Sequence, residues 1–235
     1  MKTSGQSDTA KNNKILFVVS NAHFYGESSI PTGNSFSEIV IAYDMFISNG
    51  YKVDFVSPKG GSISLSCINT SNELEKQYLY NFDFMKKLKQ TKNPDTIVPD
   101  DYKAIYYPGG KAAMFGVPEN EQIQKIAKSI YYNNGVVASV CHGTVGILNI
   151  KLDNNSYLIE GKNLNGNPEE YEYIRSDYFK SFPFLIKKTA ESRGSHFKFS
   201  PKGKPHLEVD NRLITGQNPE STILVAEAII KKIKN

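Results

Sequence analysis

Gly135-Val-Val-Ala-Ser-Val-Cys141-His-Gly-Thr-Val-Gly146 is an apolar run that stops at a cysteine, a histidine and a glycine. Val136 to Val140 are β-branched or small residues of the kind that fill a parallel strand buried on both faces, and Gly143 to Leu148 then take up a helical pattern. Cys141 falls at the bend. A residue on a tight strand-to-helix turn is held out at the carboxyl edge of a sheet, and the following helix points free N–H groups and its positive dipole end at the sulfur. Both effects favour a thiolate. An ordinary buried thiol accounts for the stretch as well, since free cysteine is among the most buried residue types.

Working outward, Ile15 to Val19 reads as a first buried strand, and Phe36, Ile39, Val40, Tyr43, Phe46 and Ile47 mark an amphipathic helix ending near Asn49-Gly50. Val53 to Val56 is a second strand and Ala104 to Tyr107 a third, which runs into Pro108-Gly109-Gly110. Between them, residues 62–101 loosen into an excursion that partly covers the sheet edge, with a helix-like piece near Met85 to Lys92. Pro118 opens a helix with Ile123, Ile126, Ala127 and Ile130 inward. Past Leu148 come a charged loop, Asn165 to Asp177, and a helical stretch from Pro183 to Ser192. Phe197 to Phe199 and Leu207 to Ile214 read as strands around a turn. Asn218 caps a last helix with Ile223, Leu224, Ala226, Ala228 and Ile230 inward. Strands alternating with helices imply an α/β fold with a parallel sheet and helices on both faces, whose sites form at the carboxyl ends of the strands.

The 235 residues suffice for one large α/β domain, expected over 14–235 with 62–101 as a partial cap, after a polar leader, 1–13, expected to be disordered. The leader has no signal-peptide pattern. No apolar run reaches the roughly 20 residues of a membrane helix. The net charge of +4 spreads over scattered lysines, a solvated surface and not a nucleic-acid footprint. Cys67 and Cys141, the only two cysteines, give no disulfide framework, which suits a reducing, cytoplasmic compartment. An exported or lipid-anchored form whose upstream signal was removed is the alternative to that reading.

Four loops converge on the expected sheet edge: one with His23 and Glu38, one with Gly109-Gly110, one with Cys141-His142, and the late loop with Glu169, Glu170 and Glu172. A thiolate, a proton-transfer group, a carboxylate and exposed N–H groups are what addition to a carbonyl carbon requires. Each also has a plainer role. Ser35-Phe-Ser-Glu38 fits a capping box, Gly109-Gly110 a simple turn, His23 a solvated loop, and the late glutamates surface charge. His142 is either a base reaching round the bend or a donor of backbone N–H. The histidines and cysteines lack zinc-ligand spacing, so no metal is expected.

Taken in order, Thr32-Gly33 with Glu38, Pro108-Gly109-Gly110, Ala138 to Gly143, Ile159-Glu160-Gly161-Lys162 and Leu213 to Pro219 resemble the ThiJ/PfpI superfamily within the class I glutamine amidotransferase-like fold. The similarity spans about Lys14 to Lys234 and is nearest the heat-shock glyoxalase III branch. It implies a flavodoxin-like three-layer sandwich, a homodimer, no cofactor, and Cys141 as nucleophile beside the carboxylate of Glu38. It further implies His142 paired with Glu172, Glu169 being the runner-up, and an oxyanion hole from the N–H groups of Gly110 and His142. His23, Gly109 and Lys111 are possible substrate-binding residues. Lys111 stands where the branch usually has His and Thr144 where it usually has Pro.

The resemblance implies a lyase of the D-lactate dehydratase type, converting 2-oxoaldehydes such as methylglyoxal to 2-hydroxy acids without glutathione or metal. The same Cys-His pair suits an amidase or peptidase. A thiol sensor or holdase with an oxidised Cys141, or a binding module that has lost its chemistry, are the alternatives from other classes.

Overall fold

The computed structural model describes residues 13–234, so all of the expected leader except Asn13 lies outside the described residues. Its central sheet contains six strands: β1 (Lys14–Val18), β2 (Lys52–Val56), β3 (Tyr102–Tyr107), β4 (Val136–Val140), β5 (Leu207–Asp210) and β6 (Leu213–Gly216). They lie in the order β2-β1-β3-β4-β6-β5, with every neighbouring pair parallel except antiparallel β5 and β6. The order reverses between β1 and β3, and at such a switch point two loops diverge and leave a crevice at the strand ends.

Strands buried on both faces supply two apolar layers. Ile15 and Phe17 of β1 face a cluster completed by α1 (Phe36–Ser48), α2 (Glu73–Leu79), α3 (Phe82–Lys89) and α8 (Thr222–Lys234). Leu16 and Val18 face the opposite cluster, formed with α4 (Glu121–Tyr132), the short α5 (Val145–Leu148) and α7 (Ile186–Ser192). A further short helix, α6 (Asp177–Lys180), lies between α5 and α7 in the chain. Side chains such as Phe17, Phe46, Ile105 and Ile123 are fully buried, each contributing on the order of 2 kcal/mol from removal of apolar surface from water.

Several local expectations are corrected. The 62–101 stretch holds a helix that periodicity did not disclose, α2, opened by Asn72, whose side chain accepts from Glu75 N. Tyr78, Phe84 and Leu88 from this stretch enter the main core, and Lys92 N donates to Phe55 O beside β2. Leu207 to Ile214 is not one strand: Asn211, at φ 58°, turns the chain into the β5–β6 hairpin. His196–Phe197 pairs instead with Asn163–Leu164 in a small parallel ladder. The last helix faces inward through Thr222, Val225, Ala226, Ile229 and Ile230, leaving the expected Ile223 and Leu224 exposed. A 3-10 turn, Pro219–Ser221, precedes it and rotates the register; Asn218 accepts from the Ser221 hydroxyl at 2.6 Å and makes no backbone cap.

Candidate active site

β4 ends at Val140, and the next residue bends the chain: Cys141 has φ 56°, a left-handed conformation costing a non-glycine residue on the order of 1 kcal/mol or more. The chain enters a 3-10 turn, Cys141–Thr144, and then α5. Thr144 secures this bend, its hydroxyl lying 2.9 Å from Ser139 Oγ and donating to Asn165 O at 3.1 Å. The strained turn is therefore tied to the strand before it and to the late loop.

His142 reaches round the bend. Its Nδ1 lies 3.2 Å from Cys141 Sγ and its Nε2 2.7 Å from Glu172 Oε1. With the imidazole Nε2–H donated to the carboxylate, Nδ1 is left to accept from the thiol. Glu172 is itself over-determined. Asn167 Nδ2 donates to Oε1 at 2.5 Å, the Tyr178 hydroxyl donates to Oε2 at 2.9 Å, and Lys111 Nζ stands 3.5 Å from Oε2. Burial works to raise the Glu172 pKa, but the hydrogen bond from His142, with Lys111 and Tyr178, holds it at about 2.

Glu38, in the first turn of α1, makes no capping box. Ser35 has no side-chain cap bond, while Glu38 Oε2 accepts from Gly109 N at 2.5 Å and Oε1 has no partner in hydrogen-bond geometry. The glycine after Pro108 is what lets this happen, because a Cβ at 109 would sit 2.6 Å from Glu38 Oε2 and 2.8 Å from Cys141 Cβ. Burial pushes Glu38 up to about 8, against the Gly109 N–H and the nearby Cys141 and Ser35 side chains.

Burial also pushes the Cys141 thiol up, helped by the Glu38 charge and opposed by the His142 N–H. This corrects the expectation of a simply lowered thiol pKa, since the turn buries the sulfur and gives it only a 3-10 turn and a four-residue helix. With its pKa at about 8, Glu38 holds its proton in neutral solution, so its charge does not oppose the thiolate there.

Cys141, His142, Glu38, Gly110 and Lys111 line one cleft of about 430 Å³, together with Tyr25, Thr32, Leu65, Ser66, Cys67 and Pro219. Gly110 is left-handed at φ 88°, and a Cβ there would stand 2.2 Å from Ser35 N. Of the expected residues His23, Gly109, Lys111 and Glu169, only Lys111 lines the cleft; Gly109 lies behind it against Glu38, and His23 and Glu169 are elsewhere. His23 is exposed and outside the cleft lining, its carbonyl merely closing the loop with Thr32 N. Glu169 accepts from Lys187 N and Lys188 N at 2.9 and 2.8 Å, closing the start of α7, and Glu170 pairs with Lys187. Asn167, Tyr178 and Phe182, whose ring lies edge-on to His142 at 5.9 Å, had no sequence signal, because a long loop and a four-residue helix bring them in. Both cysteines are free, Cys67 exposed and Cys141 buried. Among the described residues no three His, Cys, Asp or Glu side chains stand together as a metal-holding set, and no helix is long and apolar enough to cross a membrane.

A mostly parallel flavodoxin-like sheet with a cysteine at a strand-to-helix bend defines an α/β protein of the doubly wound class. The chain belongs to the DJ-1/PfpI family, whose sequence profile matches residues 30–232. It is 30% identical to a glutathione-independent glyoxalase of Schizosaccharomyces pombe, over 95% of this chain and 99% of that one. It superposes on glyoxalase III of Candida albicans with a TM-score of 0.83 at 26% identity, covering 93% of this chain and 96% of the other. Rapid Encystment Protein 24 kDa of Francisella tularensis gives 0.89 at 25% identity, covering 95% and 100%.

Proposed function

We propose that the protein is a glutathione-independent glyoxalase that converts small 2-oxoaldehydes, methylglyoxal among them, to 2-hydroxy acids. The observation that carries this reading is the continuous relay of Cys141 Sγ, His142 and Glu172 at 3.2 and 2.7 Å, facing a buried Glu38 whose pKa is about 8. The likeness to the S. pombe and C. albicans glyoxalases supports it.

The Cys141 thiol adds to the aldehyde carbon, its proton passing through His142 to the aldehyde oxygen, and the N–H groups of Gly110 and His142 hold the resulting hemithioacetal oxygen. His142, oriented by Glu172, takes the proton from that carbon. Glu38, protonated at neutral pH, gives its proton to the ketone oxygen, so that an enediol forms. The ionised Glu38 then takes the proton of the first carbon's hydroxyl while His142 returns its proton to the second carbon, so the ketone becomes the alcohol, the first carbon a thioester on Cys141, and both groups regain their starting states. Water cleaves the thioester and frees the acid and the thiol. Substrate and one water therefore account for all atoms of the product, and no external oxidant is needed.

The free thiols suit a reducing, cytoplasmic compartment, and the resemblance favours a homodimer. Pure protein incubated with methylglyoxal, without glutathione or added metal, is expected to form lactate, and Cys141→Ala to lose at least about 100-fold in rate. Equal rates from the two proteins would overturn the reading.

A further inference from the structure

We propose that Lys111 makes the cleft select 2-oxoaldehydes that carry an anionic group on the carbon chain beyond the ketone, an inference that rests on the glyoxalase reading and names its substrate class. The arrangement of charge around the cleft is asymmetric. Lys111 lines it with a side chain 30% exposed, whereas its partner Glu172 is 5% exposed and lies behind, outside the cleft lining. The ammonium is held 4.0 Å from the centre of the Tyr178 ring, and Tyr178 in turn donates to Glu172. A substrate in the cleft therefore meets the cation first.

Glu172, 3.5 Å from the ammonium, offsets part of that charge from behind, and the titratable groups on the cleft side add no negative charge of their own. Glu38 is the one carboxylate among the cleft-lining residues, and burial keeps it protonated in neutral solution. Tyr25 lines the same wall and its pKa is raised by burial, so the phenol stays neutral. Burial would lower the Lys111 pKa, but Glu172, Tyr178 and Tyr25 together raise it, so the amine stays charged. Pro31, Leu65 and Pro219 supply apolar wall for a short alkyl spacer. An aldehyde held at Cys141 with two or three carbons beyond the ketone is of a size the 430 Å³ cleft admits, and an anionic end is the one chemical group that the positive wall would favour over methyl.

The test compares 4,5-dioxopentanoate with 2-oxopentanal, which has the same five carbons but ends in methyl. The reaction stays balanced: the aldehyde carbon is oxidised to a carboxylate, the adjacent ketone is reduced to an alcohol, and water is added, giving 2-hydroxyglutarate from the first. In the native protein we expect kcat/KM about tenfold or more in favour of the anion, a ratio that falls as salt rises. It should drop to about one in Lys111→Met, which keeps the alkyl stem, and persist in Lys111→Arg. A native ratio of one or less, a ratio insensitive to salt, or the same ratio in Lys111→Met overturns the proposal. Should Lys111→Met unfold, the salt series on the native protein still decides. Calorimetric binding of both compounds to Cys141→Ser separates the two claims. Tighter binding of the anion without native turnover of either compound keeps this selectivity and sinks the glyoxalase reading; native turnover of 2-oxopentanal without anion preference does the reverse.

Discussion

Glu38 shows at a single residue how burial and chemistry oppose stability. Its folded pKa of about 8 lies above the ordinary 4.5, so between these values the folded chain holds a proton that the unfolded chain has released. Stability from this group is complete below about pH 4.5 and declines as pH rises toward 8, by on the order of a few kcal/mol. Thermal unfolding at pH 5 and pH 8 checks this: Glu38→Gln, which cannot ionise, should lose less than the native protein over that interval. An equal loss would show that Glu38 is already ionised in the fold. Spacing alone gave the carboxylate the wrong partner, and it was the family resemblance that set it beside Cys141. Ser35-Phe-Ser-Glu38 matches a capping box by spacing, and only the approach of Gly109 N to 2.5 Å turns the side chain away from its own helix. Asn167 and Tyr178 were illegible for a related reason, since their partner Glu172 is five and six residues away on an irregular loop with no period to read.

At the scale of elements, apolar periodicity disclosed the buried strands and the long helices, because β1, β4 and α4 each bury what their pattern displays. It failed where local geometry rotates a pattern already apolar on several sides. The final helix is the case: TILVAEAII offers two plausible faces, and the 3-10 turn before it selects Val225, Ala226, Ile229 and Ile230. Ile229→Ala should therefore lower stability by about 3 kcal/mol and Ile223→Ala by less than about 0.5 kcal/mol, measured by urea unfolding. Reversed magnitudes would restore the face read from periodicity. The loop after β3 gives a sharper case. Gly110→Ala must place a Cβ 2.2 Å from Ser35 N at φ 88°, so we expect a loss of more than about 1 kcal/mol together with most of the activity. Wild-type behaviour in both respects would mean that the loop adapts.

For the whole molecule, the sheet sits between two apolar clusters, one reached by Phe17 and the other by Ile105. If they fold as one body, Phe17→Ala and Ile105→Ala should each lower a single unfolding transition by about 3 kcal/mol. Two separated transitions would divide the chain. The parallel order β2-β1-β3-β4 brings the loops after β1, β3 and β4 to one edge, which is why residues as distant as Glu38, Gly109 and Cys141 meet there. That convergence was legible from the alternation of strands and helices; the burial of the sulfur and the seating of Lys111 against Tyr178 and Glu172 were not, since both depend on side chains packed from the late loop. In the proposed reaction Cys141 carries the substrate covalently. Rapidly quenched protein in turnover with methylglyoxal, digested and weighed, should show the adduct of one methylglyoxal on the peptide containing Cys141 and lose it as lactate accumulates; an adduct confined to the Cys67 peptide while lactate forms would contradict it.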